Sequence, residues 1–152
     1  MIGTELRRVF ELLSADLTPN RVRLEVQEKK IGGEAVKLSL SLTPTNPNAA
    51  TILAHVNEQS GVDLIVGRGA VFEVPLKGGR YVGLACIDEV RTICTAVIRG
   101  DFEEEVWFKG RRVVKAAGRI QVGDKSIGSY WRQVFSNPLV RARREHYRYS
   151  PY

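Results

Sequence analysis

The sequence is poor in the side chains that usually announce a chemistry. Its 152 residues hold two cysteines, Cys86 and Cys94, and two histidines, His55 and His146. Neither cysteine has a partner Cys or His at zinc-ligand spacing, and two thiols are too few for a disulfide framework, so both are expected as reduced core residues. Each histidine borders an apolar helical stripe and neither is spaced to a nucleophile. Walker-type phosphate loops, nucleophile-elbow serines and paired metal-ligand histidines are absent. No catalytic, cofactor-binding or metal-ligating residue is nominated, no cofactor is expected, and the reading leans away from an enzyme. The longest apolar runs are far too short to span a bilayer. Residues Met1 to Arg8 lack the basic region, apolar run and small-residue cleavage site of a secretory signal, so the expected location is the cytoplasm, with no membrane partner.

What is present fits a folded chain. Hydrophobic residues make up 43% and charged ones 26%, close to the globular average, which excludes wholesale disorder. A chain of this size hides about 70% of the surface its unfolded form exposes, and one domain over residues 1–152 is expected.

The charge is unevenly placed. Residues 109–152 carry 11 Lys/Arg against 2 Asp/Glu, while residues 1–108 carry 12 against 15. The basic stretch also contains Tyr130, Trp131, Phe135, Tyr147, Tyr149 and Tyr152. Arginine interleaved with aromatics suits phosphates, bases and acidic protein surfaces alike.

Periodicity supplies the elements. Leu6, Val9, Phe10 and Leu13 recur at helical spacing and predict an opening helix that ends near Leu17-Thr18-Pro19. Val22, Leu24 and Val26 then alternate with polar residues, as do Val36, Leu38, Leu40 and Leu42, which predicts a hairpin. Both strands bury even-numbered positions, so a three-residue turn such as Ile31-Gly32-Gly33 is required. Asn46-Pro47, followed by Ala49, Ile52, Leu53 and Val56 and closed by Ser60-Gly61, predicts a second helix. The same parity argument predicts hairpins across Gly67-Arg68-Gly69 and across Lys77-Gly78-Gly79, the latter pairing Phe72 and Val74 with Val82, Leu84 and Cys86. Further strands are expected at 91–98, 102–108, 111–122 and 126–131, with Asp88-Glu89 as a turn. The fold class is α+β: a mainly antiparallel, strongly curled sheet or half-open barrel of seven to nine strands, with about three helices.

The last of those helices would start at Asn137-Pro138 and place Leu139, Ala142, His146 and Tyr149 on one side, with Arg141, Arg144 and Arg148 opposite. Those three arginines, with Tyr147 and Arg132, form the candidate anion- or partner-binding site. The function expected is that of a non-enzymatic binding protein engaging a nucleic acid, another polyanion or an acidic protein partner. Two alternatives stand beside it: self-association or partner binding through an apolar face or a sheet edge, and a small-molecule pocket or enzyme site lined by Tyr81, Phe72 and Trp107. Asp101, Glu103 and Glu105 would share one strand face, where a hard cation is possible but a solvated face is the simpler account, with Glu104 opposite Lys115 across a Lys109-Gly110 turn. Glu145 is placed to pair with Arg141 and Arg148.

Overall fold

The computed structural model describes residues 1–17, 20–31, 35–133 and 141–152. In chain order these form α1 (Ile2–Ala15), β1 (Val22–Ile31), β2 (Ala35–Pro44), β3 (Ile52–Asn57), β4 (Gly61–Val66), β5 (Ala70–Pro75), α2 (Cys86–Ile98), β6 (Phe102–Lys109), β7 (Arg112–Val122), β8 (Lys125–Arg132) and β9 (Arg143–Arg148). Every strand pairing is antiparallel. The α+β class and the strand number agree with expectation. In place of one strongly curled sheet or half-open barrel there are two sheets, neither closed, ordered β1-β2-β3-β4-β5 and β8-β7-β6-β9. Two helices are present among the described residues, not three.

The first helix forms as its periodicity requires. Leu6, Val9 and Phe10 are buried on one face, and the Glu58 carboxylate accepts the N–H groups of Ile2 (3.1 Å) and Gly3 (2.9 Å), satisfying amides that a helix start leaves without partners. In the β1–β2 hairpin, Val22 opposes Pro44 and Ile31 opposes Ala35, so like parity faces like parity as expected. Ile31 is itself paired with Ala35 and belongs to β1, contrary to its expected place in the turn; residues 32–34 lie outside the described residues. The turn at Gly67-Arg68-Gly69 joins Val66 to Ala70, also as expected. Gly67 takes φ +65°, which a side chain would resist.

Four expectations are overturned. Residues 46–60 hold a strand and not a helix: Asn46 Oδ1 accepts the Asn48 N–H (3.0 Å) in a side-chain-closed turn, and Ile52, Ala54 and Val56 then alternate into the core. The period of two was present there, but Asn-Pro and a nearby apolar stripe read as a helix start. Residues 82–86 do not pair with β5, and 91–98 are helical. Cys86, Val90, Ile93, Cys94 and Val97 form the buried stripe of α2 at three-and-four spacing, with Asp88 and Glu89 in its first turn, where a helix dipole favours carboxylates. Residues 143–148 are strand β9, added to the free edge of β6.

One apolar cluster joins the elements. Leu6 and Phe10 of α1, Val90 and Ile93 of α2, Leu64 and Phe72 of the first sheet, and Phe102, Ile120 and Ile127 of the second all belong to it. Burial here is the main stabilising term, roughly 1.5–3 kcal/mol for each large apolar side chain. Both cysteines lie in the cluster as free thiols, and burial pushes the Cys94 thiol up to about 12. The sheets meet where β5 passes β7: a Cβ on Gly118 would lie 2.6 Å from that of Ala70, so only glycine admits this approach. Tyr152 closes the core, donating its hydroxyl to the Ala50 carbonyl at 2.7 Å. Among the described residues no helix is long and apolar enough to cross a membrane.

Candidate functional site

The second sheet has one face in the core and one in solvent. Phe102, Glu104 and Val106 of β6 point inward and are buried, while Glu103, Glu105 and Trp107 point outward. Residues directly opposed across strands share a face, so the ladder pairings assemble the outer surface row by row. One row reads Arg144, Trp107, Lys115, Arg132 across β9, β6, β7 and β8; the next reads His146, Glu105, Ala117, Tyr130; the third reads Arg148, Glu103, Arg119, Gly128. Five arginine and lysine side chains face two carboxylates in these rows.

The third row is internally neutralised. Glu103 is hydrogen-bonded by Arg119 and lies 3.3 Å from His146 Nε2 and 3.6 Å from Arg148 Nε. The Arg119 hydrogen bond, opposed by partial burial and aided by the nearby positive charges, holds the Glu103 carboxyl below its usual range. The first row is different. Lys115 Nζ lies 4.0 Å from the Trp107 ring centre and 5.3 Å from that of Tyr130, so one ammonium is shared by two rings. Arg132 is exposed beside it, and among the described residues neither Lys115 nor Arg132 has a carboxylate partner. Arg144 has only a long contact of 4.0 Å to Glu105. Tyr130 is 59% exposed and stands on the same face as Trp107.

The sequence-predicted site is therefore regrouped. Arg132, Arg144 and Arg148 do come together, on a sheet face and not on the outside of a helix. Tyr147 does not join them: it opposes Glu104 on the inner side, donates its hydroxyl to Glu145, and carries the Arg68 guanidinium 4.3 Å above its ring. Arg141 precedes β9 and is exposed. Glu145 bonds Arg143 at 2.9 Å and Tyr147, in place of Arg141 or Arg148, because a strand brings i and i+2 to one side. Trp107 was expected to line a pocket, and Tyr130 was noted only as one of the aromatics of the basic stretch; Lys115 and Arg119 were not nominated for binding. The alternation of Arg144, His146 and Arg148 with Glu145, Tyr147 and Tyr149 is strand periodicity and could have moved the arginines from a helix to a sheet, but it does not reach Trp107, Lys115, Tyr130 and Arg119, which join them through the ladder register.

Glu104 fastens this sheet to the first. Its Oε1 accepts the Arg68 N–H at 2.6 Å and the Tyr149 hydroxyl, so one carboxylate ties the β4–β5 turn to the residue that follows β9. Its Oε2 has no hydrogen-bond partner among the described residues, and burial pushes the carboxyl above its usual range against the opposing hydrogen bonds. Glu104 opposes Gly118, not Lys115, because the turn is Gly110-Arg111 and the register shifts between Trp107 and Phe108. A second buried carboxylate, Glu89, accepts the N–H groups of Tyr81 (3.0 Å), Val82 (2.8 Å) and Gly83 (3.0 Å) on Oε1 and of Arg80 (3.3 Å) on Oε2. It is a helix residue that organises the preceding loop, not part of a turn.

The other expected constellations are not assembled. Phe72 is fully buried and packs edge-on against Tyr81, with ring centres 5.6 Å apart, whereas Trp107 lies on the outer face of the other sheet. His55 lies on β3, where its Nδ1 pairs with Ser39 Oγ at 2.9 Å. Glu103 and Glu105 share a face as alternation predicts, but Glu103 is taken by cationic side chains; among the described residues no group of three or more His, Cys, Asp and Glu is placed to hold a metal ion. A surface cleft of about 320 Å³ lies at the neutralised end, lined by Asp101, Glu103, Arg119, Gln121, Arg148 and Tyr149 among others.

No protein-family model matches the chain, and no curated protein or solved structure matches it.

Proposed function

We propose that the protein is a non-enzymatic binding module that engages a polyanion through the outer face of the β8-β7-β6-β9 sheet. The observation that carries this reading is the row Arg144, Trp107, Lys115, Arg132, where cations stand at an exposed surface with little or no carboxylate to neutralise them. A solvated, merely stabilising face would pair its charges as Glu103 pairs Arg119, His146 and Arg148. Cations left unpaired at the surface attract anions and speed their encounter. The two buried thiols fit a reducing compartment, and the reading places the protein in the cytoplasm.

The test is the double variant Lys115→Glu/Arg132→Glu against a sulfated polysaccharide such as heparin, by fluorescence anisotropy at about 50 and 200 mM salt. Wild type binds with an affinity that falls steeply with salt, and the variant loses binding while its circular dichroism and unfolding midpoint are retained, since exposed charges contribute little to stability. Equal binding by variant and wild type would reject the site.

A second reading is favoured by one observation. Leu53, Ile65 and Val71 oppose one another on the outer face of β3, β4 and β5, an apolar row in solvent contact that suits association between protein surfaces. Its mark would be a dimer that persists at high salt in sedimentation experiments.

A further inference from the structure

Positive charge alone does not distinguish a sulfated polymer, a duplex or an unpaired strand; the aromatic side chains on the same face do. Resting on the polyanion reading above, we propose that the ligand is single-stranded nucleic acid, with bases stacked on Trp107 and Tyr130 and phosphates held by Lys115, Arg132 and Arg144. Three observations converge on it. Tyr130 is 59% exposed and Trp107 only partly covered, both on the solvent face, where neither adds to the core. Lys115 is shared by the two rings, its ammonium 4.0 Å and 5.3 Å from their centres, so a cation able to reach a phosphate adjoins each potential stacking surface. The Trp107 and Tyr130 backbones stand two strands and one row apart, roughly 12 Å by strand spacing and rise, and their ring centres lean closer, no more than about 9 Å apart, because one ammonium lies 4.0 Å from the first and 5.3 Å from the second.

Two rings on the solvent face select the form of the nucleic acid. Successive bases in a duplex are stacked about 3.4 Å apart, with their faces buried in one another. A duplex therefore offers no free base face to either ring. An extended single strand does, because its bases splay independently, and stacking on side-chain rings is then indifferent to base identity. Ala117 stands between Glu105 and Tyr130 in their row, and its side chain is the smallest on that stretch of the face. In the free protein the Lys115 ammonium rests over the Trp107 face; on binding a base takes that place and the ammonium moves to a phosphate. The exchange retains a π contact for the ring and a counter-charge for the lysine, so neither group is stranded.

The experiment uses the full chain carrying Trp131→Phe, which leaves Trp107 as the sole tryptophan, Trp131 being on the opposite face of β8. Three probes are titrated at one salt concentration: an oligothymidylate of about 12 nucleotides, a length within the range of small single-strand sites, a duplex of equal strand length, and heparin. The expected result is quenching of Trp107 fluorescence by oligothymidylate, at least ten-fold weaker binding of the duplex, and binding of heparin without quenching. Trp107→Ala and Tyr130→Ala each weaken oligothymidylate binding about 5- to 150-fold, the range that corresponds to about 1–3 kcal/mol per stacked base, and leave heparin binding unchanged. If heparin binds while oligothymidylate neither quenches Trp107 nor depends on the two rings, the single-strand proposal is overturned and the polyanion site stands. If no probe binds, both fall. Should Trp131→Phe fail to fold, anisotropy of labelled oligothymidylate on the wild type and the two alanine variants reads the same outcomes.

Discussion

Glu89 and Glu104 are almost equally hidden, at 0% and 1% exposure, yet their carboxyls are held in opposite directions from the ordinary range. Burial opposes the charge on both. Around Glu89 it is outweighed, because the loop preceding α2 folds over the carboxylate and turns successive N–H groups towards it. Around Glu104 one oxygen has two donors, the Ala70 N–H adds a smaller pull, and among the described residues the other oxygen makes no regular hydrogen bond, so burial prevails. The lesson is that the fate of a sealed carboxylate is decided by how many donors its surroundings can turn inward. A glycine-rich loop, with Gly78, Gly79 and Gly83 at positive φ, can turn many; a three-residue hairpin turn, Gly67-Arg68-Gly69, supplies one amide to the carboxylate's bonded oxygen.

The largest effect that sharpens this comparison is Glu89→Ala. Four backbone N–H groups lose their acceptor at once, and the cost is about 3–5 kcal/mol, read from urea unfolding. A cost under about 1 kcal/mol would mean that the loop reaches water without penalty. Glu89→Gln keeps one acceptor oxygen but weakens charge-assisted bonds to neutral ones, and costs about 2 kcal/mol. Tyr149→Phe removes one of the two donors to Glu104 Oε1 and costs about 1–2 kcal/mol, with the carboxyl pushed further up. Glu104→Gln is the mildest, within about 1 kcal/mol of wild type near neutral pH, because it removes a charge that burial disfavours and keeps an acceptor for Arg68 and Tyr149.

The two glutamates also separate along the pH axis. A carboxyl lowered by folding lends stability above its unfolded value, about 4.3 for Glu, and loses it as pH falls through the folded value. Glu89 therefore contributes to acid unfolding below about pH 4.3. A carboxyl raised by folding behaves in reverse: its contribution is present below about 4.3 and is lost as pH rises through the raised value. Glu104→Gln should thus gain stability relative to wild type as pH rises above about 4.3, whereas Glu89→Gln should lose it as pH rises towards about 4.3 and stay level with respect to wild type above that. Parallel pH profiles for the two variants would break the comparison.

The elements that sequence reasoning captured are those whose partners are close along the chain. The parity of Val22, Leu24 and Val26 against Leu38, Leu40 and Leu42, and of Val62, Leu64 and Val66 against Ala70, Phe72 and Val74, is a local property of a turn and two alternating strands. Misreadings arose where a local cue competed with a distant partner. Asn46-Pro47 has the form of a helix start, but the neighbouring sheet edge offered Ile52, Ala54 and Val56 a ladder to join. The segment at 143–148 satisfies a helical wheel, yet its backbone groups find β6, about forty residues earlier, with Glu103 opposite Arg148. The basic character of the candidate site was legible in composition, and its membership was not. Trp107, Lys115 and Arg132 meet only through the register of three strands, and that register includes the shift between Trp107 and Phe108. A regular hairpin closed at Lys109-Gly110 would have set Lys115 against the buried Glu104, on the wrong face.

Strand order gives β9 a particular kinetic position. It pairs with β6 alone, so its departure would break one ladder and leave the β6-β7-β8 meander closed. Its amides are expected to exchange with solvent by a local opening, sooner than those of β7, which is paired on both sides. Arg144, His146 and Arg148 would leave with it, while Trp107, Lys115, Tyr130 and Arg132 would remain. The surface thus has a permanent part and a detachable part, and the occupancy of the second is an equilibrium distinct from that of folding itself.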